Sequence, residues 1–195
     1  MSSNPSTAIV CMPLLDDEAC DAWLAALGGA RWENVRVALP GYGDGEHSMR
    51  SGEAAQIPEG APLETVVAWI EGLNRGLYEF ELGGLSAGDP ALAMRYREGD
   101  HFDWHIDNAL DRVATRKLSF TVQLTAPSEY EGGDLEFAMY AQTFGGSAEW
   151  AGYGEQIRRR GAITVFPSFH LHRVSPLTRG MRTALVGWIH GPRFR

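Results

Sequence analysis

The chain has 195 residues, 44% of them hydrophobic and 22% charged, which suits a globular protein with one sizeable core. Its 17 basic and 25 acidic residues give a formal net charge of −8, and this argues against a nucleic-acid backbone as the main partner. Cys11 and Cys20 are too few for a disulfide scaffold, the first basic residue is Arg31, and no apolar run approaches a membrane span, so the expectation is a soluble, cytoplasmic protein without a membrane segment.

Residues 1–10 read as a loosely tied terminus. Asp16 or Asp17 is placed to cap a helix running to about Leu27, with Trp23, Leu24 and Leu27 on one face and Gly28-Gly29 at its end. RWENVRVAL (31–39) alternates as a strand does, and residues 41–62 read as a long glycine-rich polar loop. From Pro62 to about Phe80, Val66, Val67, Trp69, Ile70, Leu73 and Leu77 recur at helical spacing. After Pro90 the character changes. ALAMRYR, HFDWHID, KLSFTVQLT, GDLEFAMY, GAITVFPS, HLHRVSP and RTALVGWIH are short β-branched or aromatic runs separated by glycine, proline or polar turns. This order predicts an α+β, mainly β chain folded as a single domain over 1–195. Residues 1–89 supply helices, a strand and the long loop; residues 90–192 supply a β sandwich or barrel.

Histidines concentrate in two of these runs. HFDWHID contains His101-x-Asp103 and His105-x-Asp107, and HLHRVSP contains His170 and His172. Residues i and i+2 of a strand share a face, so either His-x-Asp pair is able to bind a metal ion. The pairs begin roughly 13 Å apart along a strand, so a mononuclear site would use one of them. Two imidazoles and one carboxylate with the other positions open are the ligand set of non-haem Fe(II) oxygenases; zinc hydrolases use the same donors. Arg182 opens the apolar run RTALVGWI, with Ala184 and Val186 on its face. A buried arginine there needs an anionic partner, and its planar fork matches a carboxylate.

The stretches YREGDHFDWHIDNA, EGGDLEF and GAITVFPSFHLHRVSPLTRGMR resemble the Fe(II)/2-oxoglutarate-dependent dioxygenases, specifically their small prolyl-hydroxylase-like, PKHD-type members. The resemblance implies a double-stranded β-helix (jelly roll) over residues 90–192 with the N-terminal helices packed outside it. It implies Fe(II), 2-oxoglutarate as chelating cosubstrate, O2, and ascorbate as a candidate reductant. Tyr96, Gly99 and His105-Ile106-Asp107-Asn108-Ala109 fit the family's metal pair and the turn before it. LHRVSPLTRGMR matches the distal histidine at His172 and the 2-oxoglutarate arginine at Arg182. The resemblance thus implies a catalytic metal centre of His105, Asp107 and His172. Tyr96 matches a hydroxyl that contacts the cosubstrate; Thr121 or Gln123, on one face with Ser119, stands where relatives often carry a second tyrosine.

The implied activity is hydroxylation of an unactivated C–H bond, in an amino-acid-like small molecule or a peptidyl side chain, with succinate and CO2 as co-products. Asp107 disfavours halogenation, for which related enzymes replace that carboxylate with a small residue. The competing readings are a non-catalytic, cupin-like module binding metal or a small acid, and a zinc hydrolase on the same ligands. Around the centre, His101, Asp103 and Trp104 read as pocket lining or as a solvated strand edge. His47 and Arg50 read as part of a solvated loop, with a lid as the alternative, and Arg158-Arg159-Arg160 as a solvated charge run, with a site for an acidic partner as the alternative.

Overall fold

Alternation along KLSFTVQLT divides the protein into two environments. Leu118, Phe120, Val122 and Leu124 are buried in one apolar cluster, while Ser119, Thr121, Gln123 and Thr125 are buried on the opposite face. The structure, a computed structural model, describes residues 7–38, 48–58, 62–108, 113–138 and 154–194. In chain order these form β1 (Val10–Pro13), α1 (Asp17–Ala26), β2 (Glu33–Asn34), β3 (Val37–Ala38), β4 (Ser48–Ser51), β5 (Glu53–Gln56) and α2 (Leu63–Gly76). There follow β6 (Leu92–Arg97), β7 (His101–His105), β8 (Arg116–Gln123), β9 (Tyr130–Gly132), β10 (Leu135–Phe137), β11 (Ala162–Pro167), β12 (His172–Val174) and β13 (Leu177–His190).

The strands form two antiparallel sheets. The larger runs β1-β11-β8-β13-β6-β5-β2, with β9 added on β13, and the smaller runs β10-β12-β7-β4-β3. Consecutive strands alternate between sheets as the chain advances from β6 to β7 to β8 and from β11 to β12 to β13. This is the winding of a double-stranded β-helix, and the expected fold class holds. The helices pack on the outer face of the larger sheet, where Cys20, Trp23, Leu27, Val66 and Ile70 join Leu118, Phe120, Ile163, Val165, Leu185 and Ile189. Among the described residues, no helix is long and apolar enough to cross a membrane.

Local chemistry sets the helix ends. The Asp16 carboxylate accepts from the Ala19 backbone N–H at 2.8 Å and caps α1. Helix α2 stops at Gly76, short of the Phe80 expected from periodicity. Asn74 forces the exit by pairing with the Phe80 backbone, accepting at 3.0 Å and donating at 2.9 Å.

The region read as one strand and a long loop folds differently. RWENVRVAL divides into β2 in the larger sheet and β3 in the smaller one, and the loop contains β4 and β5, again one in each sheet. Gly52 permits the crossing: its φ is +157°, and a Cβ would meet the Arg95 carbonyl oxygen at 3.3 Å. Small and polar residues, MRSGEAAQ, hid these strands from a reading based on apolar alternation. Residues 39–47 of the expected strand and loop lie outside the described residues.

The arginine run is also corrected. Arg158 pairs with Asp134, donates to the Tyr130 and Gly132 carbonyls at 3.1 Å, and lies 4.3 Å from the Tyr130 ring. Arg160 donates to the Leu124 carbonyl at 2.9 Å and pairs with Asp21 and Asp17, tying α1 to the end of β8. Only Arg159 of the three is exposed.

The α2 docking contact has a testable weight. Ile70→Ala empties a fully buried position and is expected to lower unfolding free energy by about 2–5 kcal/mol in urea denaturation. Exposed Thr65→Ala is expected to change it by less than about 0.5 kcal/mol.

Candidate active site

Strand pairing in the smaller sheet brings the two histidine runs together. His105, the last residue of β7, sits directly across from His172, the first residue of β12. Between this pair and the next, Phe102 opposite Val174, the register shifts: β7 spends three residues where β12 spends two. The extra residue is a β-bulge, and it reorients the side chains on either side of it. Phe102 and His105 therefore share the inner face, their rings stacked at 3.4 Å and 12°. Asp107 follows the strand, anchored where its backbone N–H donates to the Ser168 carbonyl at 2.9 Å. The ligand atoms of His105, Asp107 and His172 all lie within 4.8 Å of one another, the only such group of His, Cys, Asp or Glu among the described residues.

The hydrogen bonds prepare these side chains for a cation. His105 Nδ1 lies 2.7 Å from the Asp103 carbonyl and His172 Nδ1 lies 2.9 Å from the His170 carbonyl. A carbonyl only accepts, so both Nδ1 atoms carry a proton, and Nε2 is the nitrogen that would offer a lone pair to a metal. Each Nε2 faces a different Asp107 oxygen at 3.6 Å. The Ser119 hydroxyl donates to Asp107 Oδ2 at 2.6 Å, and Ser168 Oγ lies 2.9 Å from Ser119 Oγ, placed to donate to it. Burial pushes the His172 pKa down to about 4, against the pull of Asp107, so its ring is neutral near pH 7. Burial also raises the Asp107 pKa, but His172, His105 and the Ser119 hydrogen bond outweigh it and hold the carboxyl well below the usual range. Two imidazoles and a carboxylate, oriented from behind by backbone and hydroxyl groups, fit a divalent metal ion.

Beside the triad, the larger sheet contributes a second set of polar groups to the same pocket. Arg182 on β13 is 4% exposed and lies in register with Tyr96 on β6. Its Nε donates to Gln123 Oε1 at 2.9 Å, and Gln123 Nε2 donates to the Thr125 carbonyl at 3.2 Å. Among the described residues, no carboxylate pairs with Arg182. Thr121 Oγ1 is buried without a hydrogen-bond partner among them. Burial raises the Tyr96 pKa and keeps its phenol protonated. Met94, Phe102, Leu135, Phe166, Val174 and Val186 supply apolar walls. A cationic fork and an unpartnered hydroxyl in an apolar pocket fit a carboxylate-bearing ligand that also reaches the metal.

The structure brings His105, Asp107, His172, Arg182, Tyr96 and Thr121 into one pocket. His101 and Asp103 lie outside its wall, turned away by the bulge, and Trp104 packs 4.8 Å from the Arg173 guanidinium. His170 occupies a turn instead of the expected strand, its Nε2 2.7 Å from the Thr7 carbonyl. Arg50 departs from the solvated-loop reading: it belongs to β4, lies 4.6 Å over the Phe102 ring and lines the pocket. His47 and Ala109 lie outside the described residues. Sequence reasoning missed the Ser168 anchor and the role of Gln123 in steering Arg182. Gln123 pairs with Ala184, two residues along β13 from Arg182 on the same face, and its place on one face with Ser119 and Thr121 was the available signal.

The sequence profile of the 2OG-Fe(II) oxygenase superfamily matches residues 91–190. Over 99 residues the chain is 41% identical to a PKHD-type hydroxylase of Synechococcus sp. (strain CC9902), a match that covers 50% of this chain and spans only 40% of that relative's length. Over 174 residues it is 29% identical to a PKHD-type hydroxylase of Xanthomonas campestris pv. campestris (strain B100), covering 84% of this chain and 69% of that one. A prolyl hydroxylase from Trichoplax adhaerens, solved with a hypoxia inducible factor oxygen degradation domain peptide fragment, shares the fold at a TM-score of 0.65 and 15% identity, over 95% of this chain and 84% of that one.

The geometry separates the four histidines of the two runs. In Mn(II) binding followed by the electron paramagnetic resonance of free ion, His105→Ala and His172→Ala are each expected to weaken affinity more than about tenfold. His101→Ala and His170→Ala are expected to bind as the wild type does.

Proposed function

The chain belongs to the 2OG-Fe(II) oxygenase superfamily, and on that premise we propose that it is an Fe(II)- and 2-oxoglutarate-dependent hydroxylase whose iron is held by His105, Asp107 and His172. Iron held by these residues would supply the family's chemistry, in which oxidative decarboxylation of 2-oxoglutarate by O2, giving succinate and CO2, is coupled to hydroxylation of a C–H bond. The chain's own residues do the positioning. The Asp103 and His170 carbonyls fix the imidazole tautomers, and Ser119 fixes the Asp107 carboxylate. Arg182 receives the distal carboxylate of the cosubstrate, joined by the Tyr96 phenol and the Thr121 hydroxyl. Leu135, Phe166, Val174 and Val186 exclude water, which strengthens these charge-assisted contacts.

One observation carries this reading: the triad and Arg182 open onto the same pocket, with the Thr121 hydroxyl unpartnered among the described residues. A zinc hydrolase would need the triad but has no use for Arg182. The substrate reading is an amino-acid-like small molecule or a peptidyl side chain. It is supported by the PKHD-type relatives and by a fold neighbour solved with a peptide.

Turnover separates enzyme from binding module. With Fe(II), ascorbate and labelled 2-oxoglutarate, wild type is expected to release succinate and CO2, and a peptide or amino-acid substrate to gain one oxygen atom by mass. Loss of one charged hydrogen-bonded anchor costs about 1.5–3 kcal/mol, so Arg182→Ala is expected to raise the KM for 2-oxoglutarate by about 10- to 100-fold. No 2-oxoglutarate consumption across peptide and amino-acid panels would favour the non-catalytic module.

A further inference from the structure

Arg116, the first residue of β8, places a cation beside the metal triad. Its Nη1 donates to the Asp107 carbonyl at 3.3 Å and stands 3.9 Å from Asp107 Oδ1. A guanidinium free to swing toward that carboxylate would compete with a metal ion for it. Asp89 opposes the swing. Its Oδ2 accepts from Arg116 Nε at 2.6 Å and its Oδ1 from Nη2 at 2.7 Å, the two-pronged geometry in which an arginine is held most firmly. The Trp188 ring covers the guanidinium at 3.4 Å, so the pair is shielded as well as aligned. Asp89 is held in turn through its backbone N–H, which donates to the Ser86 carbonyl at 3.1 Å.

We propose that Asp89 is a positioning residue for the metal centre, acting through Arg116: it engages Nε and Nη2, leaves Nη1 to hold the Asp107 main chain, and keeps the guanidinium from closing on the ligand carboxylate beyond the 3.9 Å at which it stands. Asp89 lies outside residues 91–190, the stretch matched by the family profile. The side chains of Arg116 and Asp89 are 12% and 23% exposed. Their charges are therefore only partly screened, and loss of one leaves the other poorly compensated. The inference rests on reading His105, Asp107 and His172 as a metal site.

The test is calorimetric titration of the full chain with Co(II), alongside the unfolding temperature of each metal-free variant. Wild type is expected to bind a single Co(II). Asp89→Asn keeps the shape and removes the charge; it is expected to bind about tenfold more weakly, with an unfolding temperature within about 5 °C of wild type. In an Arg116→Met background, adding Asp89→Asn is expected to change Kd by less than about twofold, because the clamp has nothing left to hold. A Kd for Asp89→Asn within about twofold of wild type overturns the proposal, as does an equal loss in both backgrounds. Where Asp89→Asn does not fold, Asp89→Ser is judged by the same criterion. Failure of wild type to bind Co(II) instead overturns the metal-centre reading itself, a result distinguishable from failure of the clamp.

Discussion

The pairing of β7 with β12 is the constraint on which the site depends. Antiparallel register sets His105 against His172, and the bulge between that pair and Phe102–Val174 decides which side chains of β7 face inward. Without the bulge, strict alternation would put Phe102 on the face opposite His105. With it, Phe102 stacks on the ligand ring and the Asp103 carbonyl faces Nδ1 of the same histidine. One irregularity thus supplies the orientation, the Nδ1 hydrogen bond and the apolar backing of His105.

The larger sheet does the complementary work. Its outer face is apolar and takes the helices, so its inner face is left for Tyr96, Ser119, Thr121, Gln123 and Arg182. These groups are buried in a low-dielectric space, where an unpaired charge or hydroxyl is costly. Asp107 is satisfied by Ser119, and Arg182 is steered by Gln123. What remains unmet among the described residues is the Thr121 hydroxyl and a carboxylate for Arg182. That unmet demand fits a ligand with an anionic end, in a pocket that also holds the His105, Asp107 and His172 side chains.

Much of this architecture could be read from residues alone, and the failures share a cause. Periodicity located both helices and the strands after Pro90, because those segments bury apolar side chains at regular spacing. The metal residues stood out as two short runs, and resemblance chose His105, Asp107 and His172 among them. The misreadings fall where conformation depends on a distant partner. β4 and β5 cross between sheets at Gly52 and are built from small or polar residues, so Arg50 read as loop instead of pocket wall. His101 and Asp103 follow the same alternation as His105 on paper, and only pairing with β12 creates the bulge that turns them away. Arg158 and Arg160 form a charge run in sequence, yet their partners are carbonyls and acids on other elements.

On the proposed reading, the Arg182 guanidinium and a metal held by the triad grip opposite ends of one molecule. The most direct measurement is anaerobic visible spectroscopy of the apoprotein titrated with Fe(II) and 2-oxoglutarate together. Wild type is expected to show a weak charge-transfer band that needs both additions, and Arg182→Ala to reach the same band only at much higher 2-oxoglutarate. A folded wild type that binds Fe(II) yet develops no band on adding 2-oxoglutarate would contradict that reading.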